Sequence, residues 1–278
     1  VAPAMDLDMY AHAATQRNLE QLRRDGVHVI EPEQGELASG LVGKGRMAEP
    51  SHIVKEVDAL LGSATLAGRR FVVTAGATIE AIDPVRYISN HSTGKMGYAV
   101  AGELAARGAA VTLVSGRTNL ATPEGVDRVD VVSAEDMYNA TVKAFEGADG
   151  AVMCAAVADY TPVTVADEKI KKGDGDMSIE LRRTKDIAAE LGREKGGRLL
   201  VGFALETENG AANAREKLDR KNLDFIVLNS LRDAGAGFGC DTNVVSLIDR
   251  VSCVELPLMS KREVAARIVD RMEKLLNS

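Results

Sequence analysis

The segment Ser92–Gly97 has the composition of an anion-binding helix entrance. It leads into an Ala-rich stretch, and it follows the apolar run Phe71–Val73, which turns at Gly76. A run bounded in this way is typical of a buried strand that delivers its carboxyl end to a site. Because the first N–H groups of a helix have no partner within the helix, they attract negative charge. These two stretches together predict an anion site.

The polar loop between Gly76 and Ser92 is a second candidate. It is too long for a simple connection, and long loops inside compact domains tend to be functional. The side chains in this loop that could bind a ligand or act in catalysis are those of Asp83, Arg86, Asn90 and His91.

Lysines in the second half of the chain supply positive charge suited to a nucleoside triphosphate. Three of them cluster on one segment and two lie at i, i+4 on one helix face: Lys169, Lys171 and Lys172, then Lys217 and Lys221. A lysine run is commonly a solvated surface, unless the fold brings it to the strand ends.

Two further positions complete the set. Thr184 precedes a helix with apolar periodicity, so we expect it to be the cap and the helix N–H groups to form a second anion site. Asp159 follows the fourth strand at its carboxyl end, where an acid can hold a metal ion or a hydroxyl.

Hydrolytic and zinc chemistry find little support. The chain has no H-E-x-x-H motif, no Ser–His–Asp order and four histidines. Cys154, Cys240 and Cys253 have no metal-like spacing, so they are interpreted as reduced thiols of a cytoplasmic protein.

Composition indicates a globular protein of one or two domains. The chain has 278 residues, 45% of them apolar, and its net charge of −7 argues against non-specific nucleic-acid binding. No apolar run approaches the roughly 20 residues of a membrane span. The start at Val1, with charge already at Asp6 and Asp8, indicates the interior of a longer protein rather than a signal peptide.

From residue 69 onward, strands alternate with helices. We predict strands at 70–75, 110–115, 127–132, 149–154, 199–204 and 224–228, and helices at 95–107, 134–146, 184–194, 208–221 and 261–276. This alternation predicts an α/β fold with a doubly wound, mainly parallel, Rossmann-like sheet whose ligands bind at the carboxyl ends of the strands. Residues 161–183 interrupt it as an arm of two extended pieces, and residues 243–256 are predicted to form a hairpin that turns near Asp249.

Residues 1–62 are predicted to be a separate segment, joined to a domain at 69–278 by a linker at 63–68. This segment has a predicted helix at 9–25, an extended piece at 27–30, a glycine-rich loop at 36–47 and a helix at 50–61. A single weak strand in sixty residues makes a poor independent core.

Dinucleotide binding, the commonest use of this architecture, meets two obstacles. The G-x-G-x-x-G fingerprint does not follow the first strand, and the second strand ends in Gly116–Arg117 instead of an acid. Because an arginine at that position suits a 2′-phosphate, an NADP hypothesis stays open while an NAD hypothesis does not.

Several long motifs resemble bacterial phosphopantothenate–cysteine ligase, the CTP-dependent synthetase of coenzyme A formation. The resemblance runs from about residue 69 to the end of the chain, and it rests on the segments 76–80, 83–97, 155–160, 169–172, 202–207 and 220–224. Residues 1–62 resemble the end of the phosphopantothenoylcysteine decarboxylase domain, a flavoprotein fused ahead of the ligase in many bacteria. That part of the match rests on residues 3–9 and 43–47.

The resemblance implies an acid–amino-acid ligase that joins 4′-phosphopantothenate to L-cysteine. The pantothenate carboxylate attacks the α-phosphate of CTP, which releases pyrophosphate, and the cysteine amine then displaces CMP. Mg²⁺ would neutralise the phosphates, with ligands that the sequence does not identify, and FMN would belong only to a complete decarboxylase domain. No nucleic acid or membrane partner is implied.

The resemblance also implies roles for residues. Asn90 and Lys169 would act in catalysis, Asn90 at the acyl-cytidylate and Lys169 over the phosphates from a mobile segment. Gly76, Arg86 and Asn90 would contact the substrate. The nucleotide would be bound by Met153, Cys154, Ala155, Asp159, Lys169, Lys185, Asp186, Ile187, Ala188, Phe203, Lys217 and Lys221. Family members are dimers, so residues 161–183 are expected to form a homodimerisation arm, with a higher oligomer where the whole decarboxylase domain is present.

Three positions depart from the family pattern. Asp6 stands where the decarboxylase motif usually has Asn, Ser39 where it has a catalytic Cys, and Ile79 where the ligase commonly has Arg. Because a serine is no equivalent of a thiol proton donor, residues 1–62 are not expected to decarboxylate alone. Two hypotheses from other classes remain, namely an NADP-dependent reductase and a non-catalytic nucleotide-binding or assembly module.

Overall fold

The computed structural model describes residues 1–61, 64–172, 175–206, 210–230, 237 and 239–277. Contacts divide the chain into a first unit, Val1–Ser63, and a second unit, Ala64–Ser278. In chain order the helices and strands are α1 (Leu7–Ala11), α2 (Ala13–Arg24), β1 (Glu33–Glu36), β2 (Val42–Arg46), α3 (Pro50–Leu61), β3 (Arg70–Ala75), β4 (Ile79–Ala81), β5 (Tyr87–Ser89), α4 (Lys95–Ala106), β6 (Ala110–Ser115), β7 (Val126–Asp130), α5 (Ala134–Phe145), β8 (Gly150–Met153), β9 (Tyr160–Pro162), β10 (Leu181–Arg183), α6 (Ile187–Glu194), β11 (Leu199–Glu206), α7 (Gly210–Arg220), β12 (Phe225–Ser230), β13 (Thr242–Ile248), β14 (Cys253–Ser260) and α8 (Lys261–Leu276). None of the helices in the described ranges is long and apolar enough to cross a bilayer.

The first unit differs from the prediction in three places. The predicted helix at 9–25 is two helices, because His12 is extended and its ring accepts a hydrogen bond from the N–H of Ala14, which starts α2. The predicted glycine-rich loop at 36–47 contains β2, which pairs with β1 as an antiparallel hairpin. Position 43 in β2 is a glycine because the side chain of Leu7 occupies the space that a Cβ would need there. The extended piece at 27–30 is not part of a strand.

In the described part of the second unit, the main sheet has eight strands in the order β14-β13-β12-β11-β8-β3-β6-β7. The six strands from β12 to β7 are parallel, while β13 and β14 are antiparallel. Counted along the chain, the parallel strands lie in the order 3-2-1-4-5-6, which is the Rossmann order, with its reversal between β3 and β8. The predicted doubly wound α/β fold with a C-terminal hairpin is confirmed.

Helices cover both faces of this sheet, and successive residues of a strand point to opposite faces. Val73 belongs to the core cluster under α4 and α8, and Val72 belongs to the cluster under α5, α6 and α7. Leu66 is also in the first cluster and is 2% exposed. Within the predicted linker at 63–68, Leu66 therefore packs on the second unit while its neighbours are exposed; residues 62 and 63 lie outside the described ranges.

Most of the predicted elements of the second unit lie within two residues of their predicted bounds, but α6 begins three residues later than predicted and β14 ends four residues beyond the predicted hairpin. Residues 208 and 209, where α7 was predicted to begin, lie outside the described ranges. The arm at 161–183 is anchored by the antiparallel pair β9–β10. The hairpin β13–β14 turns at residues 249–252, where the carboxylate of Asp249 accepts hydrogen bonds from Val251 and Ser252.

Candidate active site

A cavity of about 890 Å³ opens at the carboxyl ends of β3, β8 and β11, beside the reversal of strand order. Its walls include the helix entrance Ser92–Gly97, the end of β8 with the loop that follows, and the residues at the start of α6. In an open α/β sheet this crevice is where ligands bind.

The floor of the cavity is the loop 154–158, and the end of β3 holds it by hydrogen bonds. The Oγ1 of Thr74 accepts from the N–H of Ala155 at 3.2 Å, and the Oγ1 of Thr78 accepts from the N–H of Ala158 at 2.9 Å. Between them the carbonyl of Gly76 accepts from the N–H of Ala156 at 2.8 Å. The two central strands therefore fix the loop from below.

The entrance of α4, where an anion site is predicted, has no side-chain cap. Its N-cap is Gly94, which has a φ of 81° and no side chain to satisfy the first N–H groups. A Cβ on Gly94 would lie 3.3 Å from the backbone nitrogen of Gly76, so the helix approaches the strand end closely. Because Lys95, Met96 and Gly97 all line the cavity, the first turn of α4 faces it.

Cationic side chains outnumber acids around the cavity, although the whole chain carries a net charge of −7. The lining cations are Lys95, Arg183, Lys185, Lys217, Lys221 and Lys261, and the lining carboxylates are Asp159 and Asp186. An excess of positive charge in a concave site attracts anionic ligands.

The start of α6 differs from the prediction. Its N-cap is Asp186, whose carboxylate accepts from the N–H of Ala189 at 3.0 Å and from Nζ of Lys221 at 2.9 Å. Thr184 instead donates its hydroxyl to the carbonyl of Ala158 at 2.7 Å. Burial raises the pKa of Asp186, but the hydrogen bonds from Lys221 and Ala189 outweigh it and leave the pKa lowered. A carboxylate at this helix start disfavours the predicted second anion site.

Another lysine of the cavity wall, Lys185, is held by an acid and lies near an aromatic ring. Lys185 donates to Glu135 at 2.7 Å, which raises the lysine's pKa, and its Nζ lies 4.4 Å from the ring centroid of Tyr138. Phe203 forms part of the wall and also packs against the core.

Asn90 lines the cavity directly after β5, and the loop after β8 determines its orientation. Its Nδ2 donates to the carbonyls of Ala156 and Val157 at 3.1 and 3.2 Å. Both amide hydrogens are therefore engaged by main-chain acceptors, and Oδ1 is the atom left to meet a ligand.

Twelve of the fifteen predicted site residues line this cavity, and three do not. Those brought together are Asn90, Met153, Cys154, Ala155, Asp159, Lys185, Asp186, Ile187, Ala188, Phe203, Lys217 and Lys221. Gly76 is buried beneath the wall, Arg86 is bound to Asp83, and Lys169 is exposed on the arm. None of these three residues lines the cavity, so their ligand contacts stay predictions.

Sequence reasoning missed two cationic residues at the far end of the cavity. Lys261, the first residue of α8, donates from Nζ to the carbonyls of Gly237 and Cys240. Lys95 donates to Asp241 at 2.7 Å. Burial, followed by the charge of Lys95, lowers the pKa of Lys261. The position of Lys95 inside Ser92–Gly97 could have indicated its role, but nothing local marks Lys261, which is far away in sequence.

Cys154 is a wall residue rather than a nucleophile. It packs against the core, and its removal from water raises the pKa of its thiol to about 12. The thiolate is the reactive form of cysteine, so the raised pKa lowers the thiolate population of Cys154 at neutral pH.

We expect iodoacetamide at neutral pH to alkylate the exposed Cys253 and to leave Cys154 unmodified in the folded chain. Peptide mass spectrometry measures both sites, and the same reaction in urea is the control in which both are labelled. Equal labelling of the two cysteines without urea would contradict the packing of Cys154.

No metal cluster is preformed in the described part of the chain, where no group of three or more His, Cys, Asp and Glu side chains is placed to bind an ion. Mg²⁺ commonly binds through one or two carboxylates together with substrate phosphates. Asp159, an exposed acid at the cavity, fits that mode of binding; Asp186 is already paired with Lys221.

The sheet order and this cationic crevice define a Rossmann-like α/β protein with a site for an anionic ligand. Residues 66–276 match the family model "DNA/pantothenate metabolism flavoprotein C-terminal domain", and residues 1–62 match the model "Flavoprotein". The chain belongs to the family of bifunctional coenzyme A biosynthesis proteins, CoaBC, and the resemblance seen in its motifs is confirmed.

Individual relatives agree with this family. The chain is 48% identical over 280 residues to the coenzyme A biosynthesis bifunctional protein CoaBC of Bacillus subtilis (strain 168), which covers 99% of this chain and 69% of the relative. It is 53% identical over 285 residues to a cysteine/cysteine sulfinic acid decarboxylase from an unknown prokaryotic organism, which covers 100% of this chain and 79% of that protein. The crystal structure of the C-terminal domain of a CoaBC protein superimposes with a TM-score of 0.67 at 42% identity, covering 77% of this chain and 99% of the other.

Proposed function

We propose that the second unit joins 4′-phosphopantothenate to L-cysteine with CTP, through an acyl-cytidylate, and releases pyrophosphate and CMP. The observation that carries this proposal is the cavity itself, in which six cationic side chains and an uncapped helix start surround the strand ends. A carboxylate and a triphosphate repel each other, so a site that brings them together needs this surplus of positive charge and N–H dipoles.

The residues of the cavity divide the work between its two ends. The first turn of α4, with Lys95, would hold one phosphate group by N–H donation and charge. Lys217 and Lys221 would attract the nucleotide phosphates at the other end, near Asp186. As an acceptor, the carboxylate of Asp186 suits a hydroxyl or amino group of the nucleotide better than a phosphate.

Mg²⁺ would supply charge neutralisation on the phosphates, and Asp159 is the residue that would hold it. The reacting carboxylate would lie near Asn90, where the loop 154–158 fixes the side chain. FMN has no part in this reaction and would belong to a complete decarboxylase domain.

A homodimer through the arm is the assembly that we propose. The arm and the neighbouring strand β5 expose several large apolar side chains, namely Tyr87, Val163, Val165, Met177 and Leu181. Exposed apolar patches of this kind commonly mark an interface. Sedimentation velocity of the parent chain and of a Val165→Asp variant tests the dimer, and an unchanged sedimentation coefficient in the variant would contradict it.

The similarity to a decarboxylase suggests decarboxylation as a second activity, for which Asp6 and Ser39 of the first unit are the residues to consider. Ser39 donates its hydroxyl to Asp6 at 2.9 Å, so the two departures from the family motif are hydrogen-bonded to each other. The same carboxylate oxygen accepts from the N–H of Leu7. We expect no release of CO₂ from phosphopantothenoylcysteine, cysteine or cysteine sulfinate by this chain, because no thiol occupies position 39.

The ligase assignment is tested by pyrophosphate release on mixing the chain with Mg²⁺, CTP and 4′-phosphopantothenate, with and without cysteine. ATP in place of CTP measures nucleotide preference, and amide formation is followed by mass spectrometry. Absence of both pyrophosphate and amide would refute the assignment. NADPH titration by fluorescence tests the reductase alternative, for which the structure offers little, since Arg117 does not line the cavity.

Replacing Lys169 by Gln is expected to lower the rate of pyrophosphate release about tenfold, because one charge-assisted contact to a phosphate is lost. Lys169 is exposed, so the melting temperature should stay unchanged. Lys172→Gln, on the same exposed segment, is the matched control and should retain the parent rate. Equal rates in both variants would make Lys169 an ordinary surface lysine.

A further inference from the structure

Both carboxylate oxygens of Asp83 accept hydrogen bonds, although Asp83 does not line the cavity. Its side chain is 0% exposed. Oδ1 accepts from the N–H groups of Val85 and Arg86, each at 2.8 Å, and Oδ2 accepts from Nε and Nη2 of Arg86. Arg86 and the surrounding N–H donors hold the pKa of Asp83 far below its usual range, so the group is ionised throughout the neutral range.

The same pair also holds a distant part of the chain, at Ile170 in the arm. The N–H of Ile170 donates to Oδ2 of Asp83 at 3.1 Å, and Nη2 of Arg86 donates to the carbonyl of Ile170 at 2.9 Å. Both main-chain groups of Ile170, the N–H and the carbonyl, are thus hydrogen-bonded to the Asp83–Arg86 pair; we call this contact the grip. A second tie lies nearby, where the N–H of Ala166 donates to the carbonyl of Ile82 at 3.0 Å.

Ile170 directly follows Lys169, so this grip acts on the lysine for which we propose a role. The neighbours that carry charge, Lys169 and Lys171, are both exposed. An exposed lysine on an otherwise solvated arm would sample many positions, and each costs entropy to restrict. Fixing the main chain of the next residue removes part of that cost before a ligand arrives.

The hairpin β4–β5 connects this grip to the cavity. Asp83 and Arg86 lie in its turn, and Asn90 follows its second strand directly. The hairpin is itself anchored, because the buried carboxylate of Glu80 accepts from the N–H of Ala134 at 2.8 Å and Ser89 donates to the carbonyl of Thr78 at 2.7 Å. A single rigid element therefore carries Asn90 at one end and the arm at the other.

We propose that Asp83, acting through Arg86 and Ile170, is a positioning residue that sets the place of Lys169 relative to Asn90. Arg86 then serves as a fastener of the arm, because its guanidinium is occupied by Asp83 and by the carbonyl of Ile170. This inference rests on the proposed ligase function for its effect on rate, but its structural part is independent of any activity.

The first measurement is limited trypsin digestion of the full chain, with cleavage after Lys171 and Lys172 followed by mass spectrometry. Asp83→Asn keeps the shape of the side chain and removes its charge, so the grip on Ile170 loosens. We expect cleavage at these two sites to become at least about tenfold faster, because local opening controls proteolysis of a held segment. Asp130→Asn is the control: Asp130 is an exposed aspartate paired with Arg128, and its loss should leave the cleavage rate unchanged.

Ile170→Pro is a second variant that changes neither Asp83 nor Arg86 and removes the N–H of Ile170. It should accelerate cleavage after Lys171 and Lys172 while the melting temperature stays at the parent value. This variant keeps the test decisive if Asp83→Asn fails to fold. Unchanged cleavage in Ile170→Pro would overturn the proposed grip.

The second measurement is a double-mutant cycle on the rate of pyrophosphate release. If Asp83 acts through Lys169, Asp83→Asn combined with Lys169→Gln should be no slower than Lys169→Gln alone. Losses that multiply in the double variant would show that Asp83 acts elsewhere and would overturn the positioning role. A parent chain that releases no pyrophosphate refutes the ligase proposal instead, and the digestion then decides the grip by itself.

Discussion

Asn90→Asp should lower the yield of the amide product at least about a hundredfold, the largest effect on activity that we expect from one substitution. Nδ2 of Asn90 now donates to the carbonyls of Ala156 and Val157. A carboxylate has no hydrogen to donate, so the carbonyl oxygens of Ala156 and Val157 would face a carboxylate oxygen instead of an N–H donor. Once a ligand excludes water from the cavity, each acceptor left without a donor costs about 1–3 kcal/mol, and a loss of about 2.7 kcal/mol is a hundredfold in rate.

Charge adds to this effect. The variant places a further carboxylate among anionic substrates, and like charges at close range disfavour each other. Pyrophosphate release and amide formation are measured separately, so the assay identifies which of the two half-reactions is lost.

The matched control is Asn139→Asp, which introduces the same amide-to-acid change on the exposed side of α5. It should keep the parent rate. Product formation by Asn90→Asp within about threefold of the parent chain would remove Asn90 from the mechanism.

Gly97→Ala should lower the free energy of unfolding by about 1–3 kcal/mol, the cost typical of adding a carbon to a filled core. Its Cβ would lie 2.6 Å from the Cβ of Ala75 and 3.0 Å from the carbonyl oxygen of Thr74. Both atoms are fixed by the central strand β3, so α4 has to move away from the sheet. Since the first turn of α4 faces the cavity, nucleotide affinity should fall as well.

Gly102→Ala provides the control on the same helix. There the new Cβ would lie 3.4 Å from the Cβ of Pro123, which is ordinary contact. Alanine is the better helix former by about 1 kcal/mol, so this variant should be more stable than the parent chain. Thermal unfolding measures both, with about 2–4 °C per kcal/mol for a domain of this size. A Gly97→Ala variant as stable as Gly102→Ala would contradict the close contact between α4 and β3.

Several departures from prediction in the second unit have one cause, which is that local patterns do not record long-range contacts. The bounds of α8 follow from its capping residues Ser260 and Glu263 together with apolar periodicity, all of them local. By contrast, Thr184 is a residue type that caps helices, but its hydroxyl donates to the carbonyl of Ala158 on another segment. The cap passes to Asp186.

The candidate site shows the same division. The residue types for an anionic ligand were visible in Ser92–Gly97 and in the lysines of α7, because helix starts and charge are local properties. Lys261 was invisible, since its place beside Lys95 depends on how the C-terminal helix packs on the sheet. Arg86 was identified from the sequence as a substrate contact, but its guanidinium binds Asp83 and the carbonyl of Ile170. Ile170 reaches Arg86 only in the folded chain.

The sequence by itself determined the fold class, the order of strands and helices in the second unit, and the family. Alternating apolar strands and capped helices can be buried in few ways, and long motifs preserve chemistry. Only the tertiary structure decided which cations share the cavity, that an acid occupies the start of α6, and that the arm is fastened to the hairpin β4–β5. The physical reason is that hydrogen bonds and charge pairing act over a few ångströms, and only folding brings residues 83 and 170 within that range.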